Sequence, residues 1–160
     1  MKLVNSDFDI ATLEDELRVD ALCRELLLAF YSERQAAGLD EHAATLLANS
    51  ADYFIRDYLI GVRQLNILEI AAGEVRKFAG NWYIVNNLEP DMGELAAHLR
   101  GISAFYFFLA ANQAITADTL AEIEKECLDS DYYRQRIDSF WDIKGDGYYA
   151  WADECPLKNR

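Results

Sequence analysis

The residues whose types could do chemistry are few and widely spaced. Asp142, Asp146, Gly147 and Asp153 fall at positions 1, 5, 6 and 12 of a calcium loop, D-x-[DN]-x-[DN]-G-x5-E. Calcium needs a cage of mostly anionic oxygens. Here Lys144 occupies position 3, and a short Asp stands where a bidentate Glu belongs. The stretch therefore reads as a tight turn at Gly145 and Gly147, joining 140–143 to 148–151 as a small hairpin. Glu94 and His98 lie four apart, so one helix face presents both to a single metal. A site needs three or four ligands, yet His42 and His98 are the only histidines and no Glu-x-x-His pair exists. They read as a solvated pair. Cys23 and Cys127 fall on apolar faces, and Cys155 sits beside Asp153 and Glu154, whose charge disfavours a thiolate. No nucleophile elbow or phosphate loop appears. The reading assigns no catalytic residue, no metal and no cofactor.

Charge narrows the classes of partner. The 160 residues carry 28 acids against 15 Lys and Arg, a net charge of −13. Residues 1–44 hold −6, 45–116 hold −2 and 117–160 hold −5. Such a surface repels phosphate, which disfavours nucleic acid and anionic membranes. The longest apolar run, 104–111, is far short of the roughly 20 residues that span a bilayer. Three widely spaced cysteines with no CxxC, and no signal-like N-terminus, predict a cytoplasmic protein.

The elements that must position these residues read as helices. With only Pro90 and Pro156 and much Ala, Leu and Glu, long helices are favoured. Thr12 caps a first helix to about Ala37, with Leu13, Leu17, Ala21, Leu22, Leu26 and Phe30 as its inward seam and Gly38 as its stop. Asp40 caps a second, through Leu47, Phe54 and Leu59, with a break or kink at Asn49-Ser50. A short helix follows over 72–80. Trp82 to Val85 is β-prone but has no pairing partner, so it reads as a helix end or extended connector. The axis of the domain is a helix over about 91–113, capped by Asp91. Leu95, Leu99, Ile102, Tyr106 and Leu109 form its seam, and Phe105, Phe107 and Phe108 fill its other faces. Thr116 caps the next helix, whose Asp118, Glu122, Glu124 and Glu126 read as a solvated acidic face. Asp129 or Ser130 caps a further one through Tyr133, Ile137, Phe140 and Trp141. The expected fold is all-α: one compact domain over 1–160, with five to six helices around the central one and a short irregular or hairpin tail.

Residues 50–116 resemble the SAM-like core-binding domain of tyrosine recombinases and phage integrases. The resemblance rests on the aromatic pattern of 53–59, the short element 72–78, and the run Leu99 to Leu109 followed by Ala114-Ile115-Thr116. It implies a SAM-like helix order and a module that grips the DNA backbone. Arg56, Arg63, Arg76, Lys77 and Arg100 are the candidate contacts it points to. It implies no catalysis, because the family's His-x-x-Arg element and tyrosine nucleophile belong to a separate domain. His98 is followed three residues on by Gly101, and His42 by Thr45.

The aromatic C-terminal stretch, 140–160, has two readings. Trp141, Tyr148, Tyr149 and Trp151 either fold back to cap the bundle or form a partner-binding patch, since Tyr and Trp dominate interface hot spots. The functional expectation is a non-catalytic module that binds a protein partner or itself. The alternatives are a recombinase-like DNA-contacting accessory module, and an enzyme or metal-binding protein with an unrecognised site.

Overall fold

A computed structural model describes residues 2–157. A 3-10 turn at Asn5–Phe8 leads into α1 (Leu13–Ala36). Next, α2 (Glu41–Asp52) runs on without interruption as a π-helix through Tyr53–Ile60. The third helical rod begins as α3 (Glu74–Lys77), widens to a π-helix at Phe78–Trp82 and ends as α4 (Tyr83–Val85). The central α5 (Met92–Ala111), then α6 (Ala117–Cys127), α7 (Ser130–Trp141) and the short α8 (Tyr148–Asp153) complete the chain. The fold is an all-helical bundle, and no strand occurs among the described residues.

The helix starts follow from local chemistry. Thr12 and Asp15 form a reciprocal capping box, and Asp40, Asp91 and Thr116 each accept the backbone N–H three residues on. Each satisfies donors that a helix start leaves unpaired. Gly38, at φ +109°, turns the chain out of α1. Asp129 precedes α7 without a side-chain cap.

In the centre, α5 packs against α2, α6, α7 and the π-helix at Tyr53–Ile60. Its seam residues Leu95, Leu99, Ile102, Tyr106 and Leu109 are buried, as are Phe105 and Phe108. Phe107 instead faces solvent. The closest crossing is with α2 at Gly101, where a Cβ would stand 2.5 Å from Ser50 Cβ and 2.8 Å from the Leu47 carbonyl oxygen. Only glycine permits that approach. Asn49-Ser50 does not break α2, because Ser50 lies in this buried contact. The change of helix type comes later, at Tyr53.

The two π-helical stretches meet through rings. Tyr53, Phe54 and Tyr58 contact Phe78 at 5.8, 5.1 and 5.4 Å between centroids, and Tyr53 and Tyr58 also contact Trp82. Trp82 to Val85 is thus helical, and packing of these rings overrides its β propensity. The tail does not form a hairpin. After a turn with Gly145 at φ +60°, residues 148–153 coil into α8 and drop Trp151 against α7.

Candidate functional site

Among the described residues, most arginines face carboxylates. Arg56 pairs with Asp20 at 2.8 Å and Asp52 at 3.0 Å. Arg76 reaches Asp129 at 2.6 Å, and its guanidinium lies 4.5 Å from the Tyr132 ring centroid. Arg63 forks onto buried Glu74 through Nε and Nη2 at 3.1 and 2.9 Å, and Lys77 approaches the same carboxylate at 3.4 Å. Burial alone would raise the Glu74 carboxyl, but the Arg63 bonds and the Lys77 charge outweigh it and hold the group below its ordinary value. Of the five candidate DNA contacts, Arg100 is the one with no ion pair recorded among the described residues. It lines a cleft of about 410 Å³ with Arg34, Ser103, Phe107 and Glu124.

Glu126 corrects the expectation of a uniformly solvated acidic face on α6. It is buried, and its two oxygens accept the Gly73 and Arg76 backbone N–H groups at 3.0 and 2.9 Å. A carboxylate from α6 therefore caps α3, whose own N-cap residue supplies no side chain. Sequence reasoning missed this role because the capping residue and the helix it caps lie some fifty positions apart.

Catalytic geometry is approached at one place. Ser50 Oγ lies 3.3 Å from His98 Nδ1, and His98 Nε2 lies 3.7 Å from Glu94 Oε1. These are the residue types of a nucleophile, base and acid. Burial pushes His98 below its ordinary value despite Glu94. Ser50 is buried, with its Cβ against Gly101 at the α2–α5 crossing. Glu94 also accepts the Tyr83 hydroxyl at 2.9 Å. The cluster ties α2 and α4 to α5. Burial pushes the Cys23 and Cys127 thiols up to about 12, which leaves them protonated and unreactive. Among the described residues no group of three His, Cys, Asp or Glu side chains comes together to hold a metal, and no helix is long and apolar enough to cross a membrane.

The four C-terminal aromatic candidates separate. Trp151 is 4% exposed, whereas Trp141 is 58% and Tyr149 76% exposed, with Tyr148 between. The Trp151 indole donates to Arg136 O at 3.1 Å and Ser139 Oγ at 3.0 Å. The Arg136 guanidinium, itself buried, stacks 3.9 Å from the Trp151 ring centroid and donates through Nε to Gly80 O at 2.8 Å. Its Nη2 has no hydrogen-bond partner among the described residues, so the indole face supplies the compensating contact. Trp151 caps the bundle, and the exposed aromatic surface reduces to Trp141, Tyr148 and Tyr149.

A row of exposed apolar residues lies on α1, where a core seam was expected. Leu13, Leu17 and Leu28 are 72%, 67% and 67% exposed, and Ala21 is exposed with them. The buried side of α1 is Val19, Cys23, Leu26, Leu27 and Phe30. At 100° per residue, Leu13, Leu17, Ala21, Arg24 and Leu28 share an arc of about 80°, roughly 140° from the centre of the buried side. Leu28 then borders a groove of about 420 Å³ between α1 and α2, lined by Leu27, Tyr31, Thr45, Ala48 and Asn49. The groove ends at Arg24, Arg56 and Asp52, where Arg24 pairs with Asp20 at 3.4 Å.

Compared with protein-family models, curated proteins and solved structures, the chain gives no match in any of the three.

Proposed function

We propose that this chain is a non-catalytic interaction module that docks a protein partner on the outer face of α1 and the adjoining groove. The observation that carries the reading is the row of three leucines, each about two-thirds exposed or more, on one side of a helix whose other side is fully packed. Isolated exposed leucines need no explanation, but three leucines and an alanine aligned on one exposed helix face, with only Arg24 among them, do. The exposed Trp141 and Tyr149 form a second, smaller contact surface. Free, unpaired cysteines support cytoplasmic residence. The recombinase-like DNA reading has less support, since four of its five cations already face carboxylates.

Site-specific photocrosslinking tests the reading. With p-benzoylphenylalanine in place of Leu17, irradiation in the native cell is expected to give a discrete protein adduct. The adduct should disappear when Leu13 and Leu28 are both changed to Glu, and should be missing when the probe replaces exposed Glu122 on α6. Identical adducts from both probe positions would refute docking on α1.

A further inference from the structure

The leucine face has a rim, and the rim carries a sign. Glu14 and Glu25 flank the stripe on one side and Glu16 on the other. Neither Glu14 nor Glu25 has an ion pair recorded among the described residues, and Glu16 has only the Gln64 amide at 3.5 Å. The cations nearby are spent. Arg24, within the stripe, pairs with Asp20. Arg18 turns its guanidinium back to the Asp7 and Asp9 carbonyls and to Asp15. An apolar strip is thus bordered by carboxylates that have no cation of their own.

We infer that this face receives a cationic amphipathic helix from a partner protein, its apolar side on Leu13, Leu17, Ala21 and Leu28 and its Lys or Arg side chains on Glu14, Glu16 and Glu25. The inference rests on the docking surface proposed above and names what occupies it. From Leu13 to Leu28 the stripe runs about 22 Å, so an occupant helix of about 15 residues, four turns, covers it. Anchors repeating at three and four residues match its spacing. At the Leu28 end one large apolar side chain enters the groove beside Tyr31 and Ala48.

A second copy of this chain fits the face poorly. Paired antiparallel so that Leu13 lies on Leu28, two α1 helices bring Glu14 and Glu25 together on the same flank. Paired in parallel, the Glu14 and Glu25 flank of one copy faces the Glu16 flank of the other. Both arrangements oppose like charges on surfaces already at −13 per chain. A cationic helix converts the same carboxylates into attractive contacts, and they also steer its approach.

Three fluorescein-labelled peptides of equal length test this by anisotropy against the intact chain. The first is an amphipathic Leu/Lys helix, the second replaces every Lys by Glu, and the third is a Leu/Lys scramble with no apolar face. The cationic amphipathic peptide is expected to bind about tenfold or more tighter than either control. Its affinity should fall severalfold between about 50 and 300 mM NaCl as screening grows. Leu17→Glu and, independently, Leu28→Ser should each weaken it about tenfold or more with unchanged melting temperature, while Trp141→Ala leaves it unaltered. Equal binding of the scramble would show charge attraction alone and overturn the inference. So would binding of the acidic peptide, or affinity indifferent to both leucine changes. If the cationic peptide fails while the Leu17 photoadduct persists, the occupant is wrong and the docking surface stands. Loss of both removes the docking surface as well.

Discussion

Gly101→Ala tests how closely the central helix is gripped. Two opposing effects set its size. Alanine favours a helix interior over glycine by about 1 kcal/mol. Against this, the new methyl would lie 2.5 Å from Ser50 Cβ, 2.8 Å from Leu47 O and 3.2 Å from Ala51 N. Carbon atoms rest at about 3.5–4.0 Å, so α2 and α5 must separate by about 1 Å. Two of the three opposing atoms are backbone and cannot rotate away. Overpacking of a rigid contact costs about 1–3 kcal/mol, and the backbone contacts place this one at or above the top of that range. The net expectation is a loss of about 2 kcal/mol or more, which lowers the melting temperature by at least about 4–8 °C for a chain of this size. Urea unfolding followed by circular dichroism should show a lower midpoint at unchanged slope. Ser50→Gly removes the nearest atom, so the double variant should be less destabilised than the sum of the single ones, with a coupling of about 0.5–3 kcal/mol. A Gly101→Ala protein as stable as the parent, or more so, would refute the close crossing, because helix propensity would then act alone.

Three other expectations follow from the packing. Trp151→Ala should cost about 3–5 kcal/mol, because it opens a cavity and strips the buried Arg136 of its ring, whereas Trp141→Ala and Tyr149→Ala should stay within about 0.5 kcal/mol; thermal melts of the three variants decide it. Glu74 has a folded pKa below its unfolded value near 4.5, so its stabilising contribution is present above that value and is lost as pH falls through the folded pKa. Glu74→Gln, which takes the buried carboxylate from Arg63, should cost about 3–5 kcal/mol at pH 7, and the deficit relative to the parent should shrink toward pH 3; denaturant titrations across that range measure it. For His98 the folded pKa lies below 6.5, so the unfolded chain binds the extra proton and stability drops as pH falls from about 6.5. His98→Gln should flatten that part of the melting-temperature profile, and an unchanged slope would exclude His98 as its source.

Local chemistry was legible residue by residue. Thr12, Asp40, Asp91 and Thr116 announce their helices, because a side-chain oxygen three residues before an unpaired N–H is a short-range geometric fact. The buried seam of α5 was legible as well, since apolar residues on nearly every face leave only one place for a helix, the centre. The α1 face was not. Leu26 and Phe30 of the expected seam are buried, but Leu13, Leu17 and Ala21 are exposed, and periodicity alone gives no reason to bury Val19 and Cys23 in their place.

The sequence by itself determined the helical class, the four helix starts at Thr12, Asp40, Asp91 and Thr116, the central rod and the acidic charge, all of which depend on composition or on neighbours within about four residues. Tertiary structure alone decided which side of α1 meets the core, which tail aromatic is buried, and that Glu126 caps α3 while Glu74 holds Arg63 and Lys77. Those outcomes depend on which surfaces the bundle brings together. Glycine at 101 lets α2 settle onto α5, and the α1 leucines are left facing outward, where they are free to meet a partner.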